Sequence, residues 1–136
     1  MEKEIKDLVT YNEIEYDRYK SFEAIVSGQV IGKCNYSTDS GKAWLYIVKV
    51  ADTFRQHGIG GNLVKLMEND CVQKRVREIE GKYFPQGAED HVVRSFYEKH
   101  GFSIYDDGYE HFVFKVGLEK QDVSGLKVTK SKGIEK

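Results

Sequence analysis

The chain has 136 residues, 40% of them hydrophobic and 32% charged, with a formal net charge of −1. That length and composition describe one folded domain with one core, not a disordered chain. The near-neutral charge offers no field for nucleic acid or an anionic membrane, and no apolar run approaches the ~20 residues of a membrane span.

Met1-Glu2-Lys3-Glu4 does not open as a signal peptide. Cys34 and Cys71 are too few and too isolated for a disulfide framework or a zinc site. A reducing cytoplasm is the expected setting.

In chain order, Ser21 to Tyr36 reads as two β-rich runs joined by Ser27-Gly28, a hairpin connection. Thr38-Asp39-Ser40-Gly41 is the next turn, and Ala43 to Val50 a strand with few charges, as at the centre of a sheet. Trp44 on that strand is read as core. The stretch Arg55-Gln56-His57-Gly58-Ile59-Gly60-Gly61-Asn62-Leu63 then opens a helix in which Ile59, Leu63, Leu66, Met67 and Cys71 recur at helical spacing. Its polar face carries Asn62, Lys65, Glu68 and Asn69, and Lys74, Arg75 and Arg77 suit the negative pole at its end.

Glu78 to Phe84 is a short strand stopped by Pro85. After a loop from Gln86, Asp90 is placed to cap a helix over His91 to His100, with Gly101 just past its end. Phe102 to Tyr105 and Tyr109 to Val116 form a hairpin around Asp106-Asp107-Gly108. Residues 1–118 therefore read as one domain, and 119–136 as a polar, loosely held tail. The element order predicts an α/β (α+β) fold: a mixed, mostly antiparallel sheet with a parallel pair around the first long helix.

Three glycines at a helix start are costly at about 1 kcal/mol each against alanine. A strand, a glycine turn and a helix together leave backbone N–H groups unsatisfied at the positive end of the helix dipole, a site for phosphate oxygens. Arg55, Gln56 and His57 add donors at its rim. The Walker A and dinucleotide patterns both fail, because Gly61 is followed by Asn62-Leu63. Glycines that merely allow tight packing are the competing explanation.

Val50-x-x-x-Phe54-Arg55-x-x-Gly58-Ile59-Gly60 followed by Phe96-Tyr97-x-x-x-Gly101-Phe102 resembles the GNAT superfamily of acyl-CoA-dependent N-acyltransferases, over roughly residues 21 to 116. The resemblance implies helices on both faces of the sheet and acyl-CoA lying where two central parallel strands splay. It implies that backbone amides of Gln56, His57, Gly58, Ile59, Gly60 and Gly61, with Arg55 beside them, hold the pyrophosphate. Val48, Lys49 and Val50 would pair with the pantetheine arm and supply an oxyanion donor, worth roughly 3 kcal/mol in comparable sites. Tyr97 matches the tyrosine that protonates the departing thiolate.

The sequence departs from that pattern in three places. Residues 1–21 are too few for a strand and two helices of ordinary length, about 11 residues each. The acceptor side is therefore open, rebuilt by the C-terminal tail, or completed by another subunit, as in a homodimer. Asp90 stands where relatives have an asparagine that contacts the coenzyme, so the resemblance makes it a coenzyme-binding candidate. A carboxylate does not favour a phosphate nearby, and its role reduces to the helix cap if it makes no such contact. No carboxylate lies between Trp44 and Val50, so the general base is left open among His111, Glu110, Asp52, a water relay or none.

Cys34 and Cys71 lie in apolar patterns that suit buried thiols, and nothing completes a metal site around His57 or His100. The expectation is an acetyl-CoA-dependent N-acetyltransferase without metal, acting on an unidentified amine by direct attack. A catalytically silent acyl-CoA-binding module of the same fold is the alternative.

Overall fold

The computed structural model describes residues 4–83 and 89–134. The expected stop at Pro85 and the loop from Gln86 lie outside them. A helical turn α1 (Ile5–Leu8) leads into β1 (Thr10–Glu15), β2 (Lys20–Val26), β3 (Gln29–Asp39) and β4 (Lys42–Val50). Ser27-Gly28 and Ser40-Gly41 all have positive φ (50° and 78°, 50° and 84°), the backbone of a two-residue hairpin turn, so β2, β3 and β4 follow one another antiparallel.

A single 3₁₀ turn (Asp52–Phe54) precedes α2 (Ile59–Gln73), then come β5 (Glu78–Tyr83), α3 (Asp90–Lys99), β6 (Ser103–Asp106), β7 (His111–Val116) and β8 (Val128–Lys132). The strands form one sheet in the order β6-β7-β5-β4-β3-β2-β1-β8. Only β4–β5 and β1–β8 are parallel, so the sheet is mixed and mostly antiparallel as expected.

Two features shape the centre of the sheet. Asn35 pairs with Ile47 but Tyr36 with Leu45, so Tyr46 is a bulged extra residue on β4, and it is 51% exposed. A bulge strengthens the local twist and re-aims the strand beyond it. The parallel pairing of β4 with β5 ends at Leu45↔Gly81, yet β4 runs on to Val50. Beyond that pair the two strands part.

Gly81 sits at the fork because nothing larger fits: a Cβ there would lie 2.4 Å from the Leu45 carbonyl oxygen. Gly81→Ala is expected to cost about 1–3 kcal/mol, the range for overpacking. It should be seen as a lower urea midpoint, and an unchanged midpoint would show that the fork tolerates a side chain.

The core lies between the sheet and α2. Ile59, Leu63, Val64, Leu66, Met67 and Cys71 of the helix are buried with Phe22, Ala24, Cys34, Tyr36, Ala43, Leu45 and Ile79 of the strands. Burying each large apolar side chain is worth roughly 1.5–3 kcal/mol. Glu68, read from the sequence as part of the polar face, is only 2% exposed. The segment after β7 folds over that part of α2, so the Glu68 carboxylate accepts from Lys115 Nζ (2.6 Å) and from the Glu119 amide (2.9 Å). A buried charge persists when paired and hydrogen-bonded in this way.

Helices on both faces were expected, but α2 and α3 share one face and pack directly on each other through Gly60 and Gly61. On the other face the register sets Ser37, Trp44, Glu80 and Phe114 side by side, all half-buried. Trp44 is therefore not a core residue. The physical reason is the β1–β2 connection. It is a tight turn, closed by the Tyr16 amide on the Tyr19 carbonyl (2.9 Å) with the two rings stacked at 4.4 Å, and it leaves no room for helices there.

The segment from residue 119 is also not the loose tail expected. Leu118, Val123, Leu126 and Val128 pack against the core, and β8 adds to the open edge of β1. No helix among the described residues is long and apolar enough to cross a membrane.

Candidate functional site

The glycine turn follows directly from the end of β4. Gln56 (φ 69°) and Gly58 (φ 77°) both adopt left-handed backbone, which is uncommon for a residue with a side chain and stores strain. Gly58 is the N-cap of α2, and no side chain caps the helix. Asn62 makes the first amide contact back, to the Gly58 carbonyl at 3.0 Å. The amides of the first turn thus lack intrahelical partners, at the positive end of a 15-residue dipole. An anion suits that position.

The three glycines have separate reasons. Gly58 needs its positive φ, and a Cβ there would meet nothing within 4 Å. A Cβ on Gly60 would come within 3.1 Å of the Phe96 ring, and one on Gly61 within 2.8 Å of the His100 ring. Tight packing of α3 therefore accounts for two of the glycines, and the open turn for the other. Ile59, 2% exposed, anchors the turn from below. Arg55 braces it by donating from Nε to the Val50 carbonyl (3.1 Å) and pairing through Nη2 with Asp52 (2.9 Å). Gln56 and His57 are exposed at the rim.

The fork of β4 and β5 opens beside this turn. Val48 and Val50 pair with Cys34 and Gly32 of β3 and are half-buried, while Lys49 is exposed. On the β5 side their backbone has no strand partner among the described residues.

Tyr97 of α3 is 4% exposed, its ring set among Tyr83 (5.8 Å between centroids), Phe96 (5.3 Å) and Phe102 (5.5 Å). Burial above all, then the neighbouring Cys34 thiol and Tyr83 phenol, push its ionisation well above the ordinary phenol range. Among the described residues no hydrogen bond engages its hydroxyl, so a neutral O–H is left to donate.

Next to Tyr97 lies a cluster that the linear reading missed. Tyr83 Oη donates to Asp90 Oδ1 (3.0 Å), and its ring stacks on His111 at 4.9 Å. His111 Nδ1 meets Asp106 Oδ1 at 2.5 Å, and Arg94 bridges Asp106 Oδ2 (3.3 Å) and Tyr83 Oη (3.5 Å). The hydrogen bond from His111, then Arg94, holds the Asp106 carboxyl below its usual range. Asp106 and His111 are cross-strand partners at the end of the β6–β7 ladder. The hairpin pattern could have paired them, but nothing local in the sequence joins Arg94 and Tyr83 to them.

Asp90 is not the helix cap. The cap position falls on Glu89, which makes no side-chain cap bond, and Asp90 is drawn instead to the Tyr83 hydroxyl. It stands 3.9 Å from His111 Nε2. Of the candidate bases, Asp52 is paired with Arg55 and Glu110 with Lys82 (2.5 Å). His111 is the one in stacking contact with the Tyr83–Tyr97 pair.

The cysteines are free and buried. Burial pushes the Cys34 thiol far up and the Cys71 thiol to about 12, so neither is a thiolate at neutral pH. Among the described residues no group of three or more His, Cys, Asp or Glu side chains is placed to hold a metal ion.

The family profile described as "Acetyltransferase (GNAT) domain" matches residues 17–104, more than half of the chain. No curated protein matches the sequence. Among solved structures, the fold is shared with the PaiA N-acetyltransferase of Thermoplasma acidophilum in complex with coenzyme A, at 23% identity and a TM-score of 0.65. That likeness covers 73% of this chain but 61% of the other, so the chain spans about three fifths of that protein's length.

A GNAT family acetyltransferase from Elizabethkingia anophelis with acetyl-CoA bound is 18% identical over 72% of this chain and 76% of its own, with a TM-score of 0.60. The ribosomal-protein-S18-alanine N-acetyltransferase of Escherichia coli is 16% identical over 79% and 74%, with a TM-score of 0.63. At these identities the likeness is one of fold.

Proposed function

The chain belongs to the GNAT acetyltransferase family, and from that premise we propose that it transfers an acetyl group from acetyl-CoA to an amine by direct attack. The observation that carries this reading is Tyr97: a neutral phenol with an uncommitted hydroxyl, beside a strand fork and a helix start rich in free amides. Related structures that hold coenzyme A or acetyl-CoA support the choice of donor.

In this proposal the amides of the glycine turn and the start of α2, from Gln56 to Gly61, bind the diphosphate, and the free backbone of Val48 to Val50 aligns the pantetheine arm. A backbone N–H on β4 donates to the thioester oxygen as it gains charge. The amine nitrogen attacks the carbonyl carbon, a C–N bond forms, and the C–S bond breaks. His111 takes the proton lost by the amine, oriented by Asp106, and Tyr97 gives its proton to the departing thiolate. Holding the two reactants side by side supplies much of the rate gain. Asp90 then acts through Tyr83 and does not contact phosphate.

His111→Gln should lower kcat by about 10²-fold, because glutamine keeps a polar group but cannot accept the proton. An unchanged single-turnover rate would remove His111 from this role.

The silent acyl-CoA-binding module stays as a second reading. It is favoured by the absence of a carboxylate between Trp44 and Val50 and by the proximity of Asp90 to His111 Nε2. Calorimetry with acetyl-CoA followed by thiol release across a panel of amines separates the two. Binding with turnover on some amine supports the enzyme, binding without turnover on any supports the module, and no binding defeats both.

A further inference from the structure

A cavity of about 410 Å³ opens between α2, the end of α3 and the segment after β7, away from Tyr97. Lys65, Glu68, Lys99, His100, Lys115 and Gln121 line it. Its charges are not balanced. Lys115 is held by Glu68 (2.6 Å) and by the His100 carbonyl (2.8 Å), and the second Glu68 oxygen takes the Glu119 amide, so that pair is internally satisfied. Lys65 and Lys99 form no ion pair among the described residues. Asp122 is close enough to feel Lys65, but its carboxylate is engaged by the Ser124 amide and hydroxyl.

His100 is half-buried between them. Burial first, then Lys99, Lys65 and Lys115, depress its basicity, against a smaller opposing effect of Glu68. Two lysines and an imidazole thus face one space in which the Glu68 carboxylate is already committed to Lys115 and the Glu119 amide.

We infer that Lys65, Lys99 and His100 form a subsite for a phosphate monoester, filled by the phosphate on the ribose of the bound coenzyme. The inference rests on the acyl-CoA reading. Lys65 lies four residues beyond Gly61, hence about 6 Å further along the same side of α2. Gly61 in turn backs onto the His100 ring. In coenzyme A a single sugar separates the diphosphate from this monoester, so a diphosphate at the first turn brings the monoester within reach of Lys65. A dianion desolvated between two ammonium groups and a ring N–H gains charge-assisted hydrogen bonds from each.

The test compares coenzyme A with dephospho-coenzyme A, which lacks only that phosphate, by calorimetry on the full chain at low salt. The wild type is expected to prefer coenzyme A by tenfold or more. The Lys65→Ala/Lys99→Ala variant is expected to bind both alike, with unchanged affinity for the dephospho form. Equal binding by the wild type, or a preference that survives in the variant, overturns the subsite and leaves the acyl-CoA reading standing.

A second arm titrates inorganic phosphate and follows the His100 ring by NMR. Movement of that ring in a protein that binds neither coenzyme would retain the phosphate subsite and defeat the coenzyme as its source. No movement, with neither coenzyme bound, defeats both.

Discussion

Tyr97→Phe is expected to lower kcat by about 10²-fold while leaving the Kd for coenzyme A nearly unchanged, the loss of one general acid. The substitution removes only the hydroxyl. The ring contacts with Tyr83, Phe96 and Phe102 persist, and among the described residues no hydrogen bond to that oxygen is lost, so the fold has no reason to change. Because burial holds the phenol neutral well past its ordinary range, Tyr97 should also add no pH dependence of its own near neutrality. Thiol release measured in single turnover isolates the chemical step. An unchanged single-turnover rate would take Tyr97 out of the reaction.

The largest loss of stability is expected from Asp70→Ala, at about 3–5 kcal/mol, the cost of removing one partner from a buried charged pair. Asp70 in the last turn of α2 accepts from Lys20 Nζ (2.7 Å) and Tyr36 Oη (2.5 Å), and Lys74 approaches at 3.1 Å. Lys20 is 7% exposed and Tyr36 fully buried, so alanine would leave the hydroxyl without its acceptor and the ammonium group with Glu13 alone (3.3 Å).

The pH dependence follows from the same contacts. Burial alone would raise the Asp70 carboxyl, but the bonds from Lys20 and Tyr36 outweigh it and hold it below its usual value. A depressed carboxylate stabilises the fold fully above the unfolded value of about 3.9, and this contribution is lost as pH falls through the lower folded value. Urea unfolding of the wild type should therefore weaken in acid, and Asp70→Ala should weaken less. Equal acid sensitivity in both would place the acid-labile group elsewhere. Asp70 lies at the far end of α2 from Gly58, so folded variant should keep its coenzyme affinity.

Much of the central sheet was legible because its signals are local. The Ser27-Gly28 turn, the apolar spacing of α2 and Gly101 past the end of α3 each follow from backbone preference or periodicity within a few residues. β1 and β8 were not legible. Thr10–Glu15 and Val128–Lys132 are mostly polar, and the few apolar residues they bury (Tyr11 and Ile14, with Val128 packed beside them) are too sparse to mark a strand, so backbone pairing sets their places. Glu68 misled for the opposite reason: a charged residue reads as surface until the segment that covers it is known.

By itself the sequence determined the order of the central elements, the family motifs, and the nomination of the glycine turn and Tyr97, since these depend on residue type at short range. Only the tertiary structure decided that α2 and α3 share one face, that β4 and β5 part at Gly81, and that Asp106, His111, Tyr83 and Arg94 meet beside Tyr97. It also showed that the packing of α3 leaves no room for a side chain at Gly60 or Gly61. Those facts arise from contacts between distant segments, where register, bulges and close approach of backbones set the geometry and no short stretch of residues carries the information.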